Sequence, residues 1–305
     1  MISVKNLRKS YRNKLVLNGL NFDVKKGSVF ALLGENGAGK TTIVKILTTL
    51  LSADEGDIVI GGYNLSNDTS SIKKMISVTG QYSAVDELLT GEENLLMMGR
   101  LYHLDRKTVK LKTAELLQEF NLMEAAKQPV KTYSGGMRRR LDIAVSLLAD
   151  PAIIFLDEPT TGLDPRSRIN LWRFIERLTK GGVTIFLTTQ YLEEADHLAD
   201  KIALINKGNI VAEGSGDELK RIIGVEKLIF QFQGKEELVS AQSIVEGVVS
   251  IETCSISVTT AGAASIVRKL LNDLYEVGIE PIDIQFKKPT LEDVFLELTN
   301  KGAES

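Results

Sequence analysis

Short apolar runs alternate along residues 1–220 with longer segments in which apolar residues recur at helical spacing. Strands that alternate with helices favour an α/β domain built on a largely parallel sheet. A helical insert from about Thr90 to Phe120 lies between the third and fourth predicted strands, and it predicts a helical subdomain at about residues 82–150. The predicted strands are Val29 to Leu33, Ile58 to Ile60, Ile76 to Thr79, Ile153 to Asp157, Thr184 to Thr188 and Ile202 to Ile205.

Polar residues of the types that favour helix N-termini precede several helical segments. Thr90 and Glu93 form a capping box at the start of the insert, and Asp105 is placed to cap the second helix of the insert. Ser134 is a residue type favoured at the N-cap, and it precedes the helical stretch Met137 to Ala149. The sequence therefore predicts the starts of three helices.

The periodicity changes after about Gly224. Strand and helix patterns then follow in the order β-α-β-β-α-β between Lys227 and Phe286, which is typical of a small ferredoxin-like α+β domain. Thr290 and Asp293 resemble a weaker capping box that opens a last short helix. We therefore predict two domains, at residues 1–224 and 225–305.

Charge and composition exclude several classes of function. The chain carries 37 Lys and Arg against 40 Asp and Glu, a net charge of −3, which argues against a nucleic-acid partner bound by neutralising phosphates. No apolar stretch approaches the ~18 residues of a membrane-spanning helix, and the first residues do not form a secretory signal. The lone Cys254 can form no disulfide within the chain, which fits a reducing compartment.

A glycine-rich motif links the first predicted strand to the next helical stretch, Thr41 to Leu51. In such a loop, backbone N–H groups and the positive end of the following helix bind phosphate oxygens. Lys40 is expected to reach the β and γ phosphates, and Thr41 to ligate Mg²⁺. The alternative is an ordinary glycine turn between strand and helix. The motif fits the P-loop pattern G-x-x-x-x-G-K-[ST] and reads Gly34-Glu35-Asn36-Gly37-Ala38-Gly39-Lys40-Thr41.

Two carboxylates, Asp157 and Glu158, stand at the end of a buried-strand run. Many parallel strands end in an acid, so this signal is weak by itself, and a charged surface turn is the alternative. A strand neighbouring the P-loop strand would place Asp157 to hold the Mg²⁺ shell and Glu158 to accept a proton from attacking water. Together with the P-loop, the pair predicts hydrolysis of a nucleoside triphosphate.

Ser134, Gly135 and Gly136 begin a helix, and the two glycines would let a phosphate approach the helix end closely. Simple capping is the alternative. The consecutive Arg138, Arg139 and Arg140 fan around that helix, and we interpret them as a solvated or partner-facing cluster. The P-loop, the Ser-Gly-Gly helix start and the Asp-Glu strand, in this order and spacing, resemble the ATP-binding cassette (ABC) ATPase family.

This resemblance implies a P-loop NTPase fold and roles for further residues. Tyr11 resembles the aromatic residue on which adenine stacks, although a surface tyrosine is the alternative. Gln81 resembles the glutamine that senses Mg²⁺ and water while contacting the membrane subunit, although an ordinary loop residue is the alternative. Asp164 lies in a segment that resembles the loop communicating across the dimer, and Thr42 joins Lys40 in binding ATP. In the family two subunits close head to tail, so that each ATP lies between the P-loop of one and the Ser-Gly-Gly motif of the other.

One position departs from the family pattern. After the strand Thr184 to Thr188 the family has a histidine that touches the γ-phosphate, whereas this chain has Gln190. An amide can donate a hydrogen bond to a phosphate oxygen but cannot carry a proton or positive charge. We expect the chain to hydrolyse its nucleotide, with Gln190 adding little to the pH dependence of the rate. An unchanged pH profile of turnover in Gln190→His would contradict a role for this residue.

Three segments resemble one branch of the family, the daunorubicin/doxorubicin-resistance-type ATP-binding subunits of bacterial exporters. This resemblance implies paired ATPase subunits at the cytoplasmic face of the membrane that drive integral permease subunits to export drugs, antibiotics or lipid-like amphiphiles. The alternative is a soluble ABC-type ATPase that acts as an assembly factor or a nucleotide-dependent regulator. The segments are Pro159 to Arg166, Gln190 to Asp196 and Pro289 to Leu296.

Overall fold

The computed structural model describes residues 1–12, 14–80, 85–223, 227–259 and 264–301. The chain divides into two compact units, Met1–Gly216 and Asp217–Ser305. The division falls before the boundary we predict at 224, because nearly all of the helix Gly216–Ile223 belongs to the second unit. Within the described residues no helix is both long enough and apolar enough to cross a lipid bilayer.

The first unit combines two sheets with helices. Its strands are β1 (Ile2–Tyr11), β2 (Lys14–Val24), β3 (Val29–Leu33), β4 (Glu55–Ile60), β5 (Tyr63–Asn64), β6 (Ile76–Thr79), β7 (Ile153–Asp157), β8 (Thr184–Thr189), β9 (Lys201–Asn206) and β10 (Asn209–Gly214). Its helices are α1 (Lys40–Leu47), α2 (Thr69–Met75), α3 (Gly91–Leu101), α4 (Arg106–Glu119), α5 (Gly135–Leu147), α6 (Pro165–Lys180) and α7 (Leu192–Leu198), with 3₁₀ turns at Met123–Ala125 and Val130–Thr132. The helix Gly216–Ile223 is α8.

The larger sheet has six strands in the order β10-β9-β3-β8-β7-β6. Strands β9, β3, β8, β7 and β6 pair in parallel, and β10 is an antiparallel edge. The largely parallel sheet that the strand pattern predicts is therefore confirmed. Every residue of β3, β7 and β8 is buried, as expected for parallel strands covered on both faces, and the polar ones in β7 and β8 are Asp157, Thr184, Thr188 and Thr189.

The second sheet of this unit, in the order β2-β1-β4-β5, is antiparallel. The apolar pattern predicts an opening strand region near Tyr11 but no bounds for the first two strands, because β1 alternates only in part. The pairing of β1 with β2 shifts register three times. Stacked rings join the two sheets into one core, with Phe22 against Phe30 and Phe30 against Phe186, both at a centroid distance of 5.3 Å. Residues of both sheets therefore share one buried apolar core.

Helices α3, α4 and α5 lie in the segment predicted as a helical subdomain. The three predicted starts are confirmed: Thr90 and Glu93 form a reciprocal capping box, Asp105 accepts hydrogen bonds from the first turn of α4, and Ser134 Oγ accepts from Met137 N. Helix α1 ends at Leu47 and not at Leu51 as predicted, since the backbone turns left-handed two residues later.

The second unit forms a four-stranded antiparallel sheet in the order β12-β13-β11-β14. The β-α-β-β-α-β succession is present as predicted, and Thr290 and Asp293 exchange capping hydrogen bonds at the last helix. Its elements are β11 (Lys227–Gln231), α9 (Lys235–Gln242), β12 (Val248–Ser250), β13 (Ser255–Thr259), α10 (Ala264–Glu276), β14 (Asp283–Lys287) and α11 (Leu291–Lys301).

Candidate functional site

The glycine-rich loop between β3 and α1 has the backbone that its sequence requires. Gly37 has φ +84° and Gly39 has φ +112°, both in the left-handed region that favours glycine. A side chain at Gly39 would also come within 2.7 Å of Leu17 Cδ2, because β2 lies against the loop. This conformation is that of a loop whose N–H groups can converge on an anion at the start of a helix.

Lys40, the first residue of α1, extends back over this loop. Its side chain is 4% exposed. Its ammonium group donates to Gly34 O at 2.7 Å and to Glu35 O at 3.1 Å, and lies 3.3 Å from Glu158 Oε1. The two carbonyl contacts hold the cation at the mouth of the loop, while the ion pair joins the P-loop to the end of β7.

Asp157 and Glu158 reach the P-loop through an intervening strand. The expectation that their strand neighbours the P-loop strand was wrong, because β8 lies between β3 and β7. Parallel register still brings the three strand ends together, since Leu33 pairs with Thr189 and Asp157 with Thr188. The carboxylates therefore lie at the same edge of the sheet as the loop.

Thr188 fixes both carboxylate residues and was not recognised from the sequence. Its hydroxyl donates to Asp157 Oδ1 at 2.5 Å. The N–H of Glu158 lies 3.1 Å from Thr188 O and 3.1 Å from Thr188 Oγ1. The only available signal was a pair of threonines at the end of an apolar strand, a pattern that does not distinguish a site from an ordinary buried strand end.

The Ser-Gly-Gly segment has distinct roles at its three residues. Ser134 caps α5, and a side chain at Gly135 would meet no atom within 4 Å. A side chain at Gly136 would come within 2.5 Å of Ser167 Oγ. Gly136 is therefore needed for packing against the start of α6, whereas Gly135 leaves the helix end open to a ligand.

Asp164 caps α6. It accepts from Ser167 N at 2.9 Å and from Ser167 Oγ at 2.6 Å, and these hydrogen bonds lower the pKa of its carboxyl below the usual range. Ser167 in turn lies against Gly136. Within one chain, Asp164 thus shapes the contact between the α6 start and the α5 start.

The remaining predicted residues lie at the margins of the site. Tyr11 is 45% exposed at the end of β1, where it pairs with Lys14. Gln190 directly follows Thr189, whose carbonyl accepts from Gly34 N at 3.2 Å. Gln81 lies outside the described residues, although Gly80 before it is described.

The arginines of α5 are not the solvated cluster that we predicted. Arg138 is partly exposed and forms an ion pair with Glu87. The Arg139 side chain is only 13% exposed and lies against Asp142 and the backbone of Asp157. Arg140 donates to Phe120 O at 2.8 Å. Consecutive residues on a helix point in different directions, so one of three neighbours can face the core while another faces water.

Glu194 is a buried carboxyl that the sequence did not reveal. Trp172 Nε1 donates to Glu194 Oε1 at 3.2 Å, and the hydroxyl groups of Thr189 and Thr160 also interact with this carboxyl. Burial raises the pKa of Glu194 above its usual value of 4.5, and the neighbouring polar groups offset part of that shift. The folded chain therefore binds this proton more tightly than the unfolded chain.

Glu194→Gln is expected to stabilise the fold above the raised pKa. The stabilising contribution of this carboxyl is complete below the unfolded pKa and is lost as pH rises through the folded pKa, whereas glutamine does not titrate. At pH 8 we expect the variant to melt about 2–4 °C above wild type, which corresponds to a gain of about 1 kcal/mol in the free energy of unfolding. The difference in melting temperature should disappear towards pH 4. The exposed neighbour Glu193→Gln is the control. A melting difference that does not depend on pH would contradict the assignment.

The chain is similar to known proteins in both sequence and fold. The profile of the ABC transporter family matches residues 17–161. The chain is 42% identical over 301 residues to the daunorubicin resistance ATP-binding protein DrrA3 of Streptomyces coeruleorubidus, covering 98% of this chain and 95% of the relative. It is 34% identical to the linearmycin resistance ATP-binding protein LnrL of Bacillus subtilis, with 99% of each chain covered.

A solved ATP-binding subunit of an ABC transporter superposes with a TM-score of 0.66 at 29% identity, over 73% of this chain and 92% of that one. Full-length identity above 40% and this superposition agree with the P-loop, the paired carboxylates and the capped Ser-Gly-Gly helix. The chain belongs to the ATP-binding proteins of the ABC transporter family, and it is an ATPase with the P-loop α/β fold.

Proposed function

We propose that this chain is the nucleotide-binding subunit of an exporter, which hydrolyses ATP to drive efflux of a drug, antibiotic or lipid-like amphiphile through separate membrane permease subunits. One observation carries the proposal. The P-loop lysine and the paired carboxylates meet at one sheet edge, in a chain that matches drug-resistance ATP-binding proteins over nearly its whole length. Such a chain would work at the cytoplasmic face of the membrane.

ATP and Mg²⁺ fit the groups at this edge. Lys40 is held by carbonyl oxygens where it can reach β and γ phosphates, and Thr41 and Thr42 lie half-buried on the first turn of α1. Thr41, Asp157 and Gln81 are the residues that we assign to Mg²⁺, whose hard oxygen preference suits hydroxyl, carboxylate and amide ligands. Bound Mg²⁺ would neutralise charge on the phosphates. The hydrogen bond from Thr188 orients the Asp157 carboxylate for this task.

Glu158 is the group that we assign to accept a proton from attacking water. Its side chain is 10% exposed, and its backbone is fixed through Thr188, so the carboxylate is held at a defined place. Lys40 balances its charge at 3.3 Å. Gln190 follows β8 next to the P-loop, and its amide would donate a hydrogen bond to a phosphate oxygen without supplying a proton. That this position adds little pH dependence to the rate of hydrolysis stays a prediction.

A second ATP-binding subunit, which we propose is a copy of this chain, would complete each site. Gly135 leaves the N-terminal end of α5 open, and the helix dipole there favours an anion. In a head-to-tail pair, Ser134 and Gly136 of the opposite subunit would close on the γ-phosphate, with Asp164 near the contact. Closing and reopening would move the helical subdomain against the membrane subunit.

The competing function is that of a soluble ABC-type ATPase acting as a regulator or assembly factor. Affinity purification of the full-length chain from detergent-solubilised membranes distinguishes the two. We expect an integral membrane permease to be recovered in stoichiometric amounts. Recovery of soluble partners alone would overturn the exporter proposal while leaving the ATPase assignment intact.

A further inference from the structure

Arg139 is a largely buried cation held mainly by main-chain oxygens. Its guanidinium donates to Gly80 O at 2.8 Å and Pro159 O at 3.0 Å, and lies 3.4 Å from Asp157 O. One carboxylate, Asp142 on the same helix, lies 3.4 Å from it. Burial lowers the pKa of the guanidinium, and the carboxylates of Asp142, Asp157 and Glu194 oppose this shift. Arginine remains charged, so the fold bears a desolvation cost here that a neutral side chain would avoid.

Two of these carbonyls belong to the residues on either side of Glu158. The backbone of Glu158 has φ +48°, in the left-handed region that residues with side chains rarely adopt. Its N–H is already held by Thr188. The guanidinium therefore binds the main chain immediately before and after a strained residue, and these contacts oppose a change in that conformation.

The contacts of Arg139 with Asp157 O and Pro159 O form a clamp around Glu158, and the third carbonyl, Gly80 O, extends this clamp to another strand. Gly80 follows β6, so one side chain of α5 joins the ends of β6 and β7 and the loop that contains Pro159. A planar guanidinium presents five N–H donors in a fixed geometry, which suits several acceptors at once. An ammonium group is a compact point charge and cannot reproduce that arrangement.

We propose that Arg139 is a positioning residue for ATP hydrolysis, which holds the left-handed backbone of Glu158 by binding the carbonyls of Asp157 and Pro159. This inference rests on the proposed role of Glu158 as the acceptor of the proton from water. Arg139 does not touch the reacting groups in this arrangement. It acts through Glu158, so its effect should appear in kcat and should require the Glu158 carboxylate.

Steady-state ATP hydrolysis by the full-length chain tests this prediction. We expect Arg139→Gln to lower kcat by about 10- to 100-fold, as for a misplaced catalytic group, with KM for ATP within about threefold of wild type. Arg139→Lys should recover only part of kcat, because one ammonium cannot span the carbonyls. When Arg139→Gln is added to Glu158→Gln, the single-turnover rate of hydrolysis should fall by less than about twofold relative to Glu158→Gln alone. Equal losses in both backgrounds, or no loss in either, would overturn the inference.

Chemical rescue separates positioning from a general loss of structure. A cavity lined by Gly135, Asp142, Glu158 and Thr161 adjoins Arg139, so free guanidinium can reach the position of the removed group in Arg139→Ala. We expect millimolar guanidinium to raise kcat of Arg139→Ala several-fold, and unresponsive kcat in a folded variant would overturn the inference. Lys112→Gln is the matched control, because Lys112 donates to Leu148 O at 2.9 Å in the same subdomain and should show neither loss nor rescue.

The outcomes for Glu158 and Arg139 are distinguishable. If Glu158→Gln retains turnover within a few-fold of wild type, the proposed base is wrong whatever Arg139 does. If Glu158→Gln is strongly impaired but Arg139→Gln is not, the base stands and the clamp is wrong. Melting temperatures of every variant, with Arg139→Lys as the charge-preserving form, identify any loss that reflects unfolding.

Discussion

Replacing Glu158 by glutamine is expected to lower kcat for ATP hydrolysis by about 10²–10⁴-fold, the range for loss of a general base. The amide has nearly the same shape as the carboxylate but cannot accept a proton from water. Its backbone remains held by Thr188, so the side chain should keep its place. ATP binding should persist, because Lys40 retains its contacts with Gly34 O and Glu35 O. Steady-state turnover and nucleotide binding, measured on the same preparation, check both expectations.

Glu213→Gln is the matched control for this experiment. Glu213 also pairs with a lysine, Lys201 at 2.5 Å, but it lies on the edge strand β10. Loss of that pair should change turnover by less than about twofold, since a partly exposed ion pair contributes about 0–1 kcal/mol. Turnover of Glu158→Gln within a few-fold of wild type would show that another group receives the proton.

The site elements that depend on local sequence were predictable. A glycine with positive φ, a Ser, Thr or Asp at an N-cap, and a lysine at the first helical turn each follow from the chemistry of a few adjacent residues. Ser134, Asp105 and the P-loop glycines Gly37 and Gly39 are examples that the structure confirms. Strands β3, β6 and β7 have the predicted bounds for the same reason: β3 and most of β7 are continuous apolar runs, and β6 alternates apolar and polar residues.

Features that depend on strand order could not be read from one sequence. Nothing in the spacing of β3 and β7 indicates that β8 lies between them, so Thr188 gave no sign of its contact with Asp157. Arg139 and Glu194 are charged residues in helical segments, where charge usually indicates solvent exposure. Their burial is decided by neighbours distant in the sequence, such as Gly80 for Arg139 and Trp172 for Glu194.

Lys40 combines two contributions that one substitution removes together. Hydrogen bonds to charged groups are each worth about 1.5–3 kcal/mol, and the ammonium is placed to reach two phosphates. The same group lies 3.3 Å from Glu158 Oε1, with both side chains largely buried. Removing Lys40 leaves the largely buried charge of Glu158 without its partner. The substitution should therefore cost more free energy than the loss of an exposed lysine.

Lys40→Met is therefore expected to lower kcat/KM for ATP by about 10²–10³-fold, which corresponds to about 3–4 kcal/mol. Unlike Glu158→Gln, it should also weaken ATP binding, measured as the Kd of a fluorescent ATP analogue. Lys45→Met is the control on the same helix, because Lys45 is exposed and should leave both quantities within about twofold. Wild-type ATP affinity in Lys40→Met would contradict the assignment of Lys40 to the phosphates. Both variants should slow hydrolysis, but only Lys40→Met should weaken ATP binding, and this difference would separate binding from proton transfer at one sheet edge.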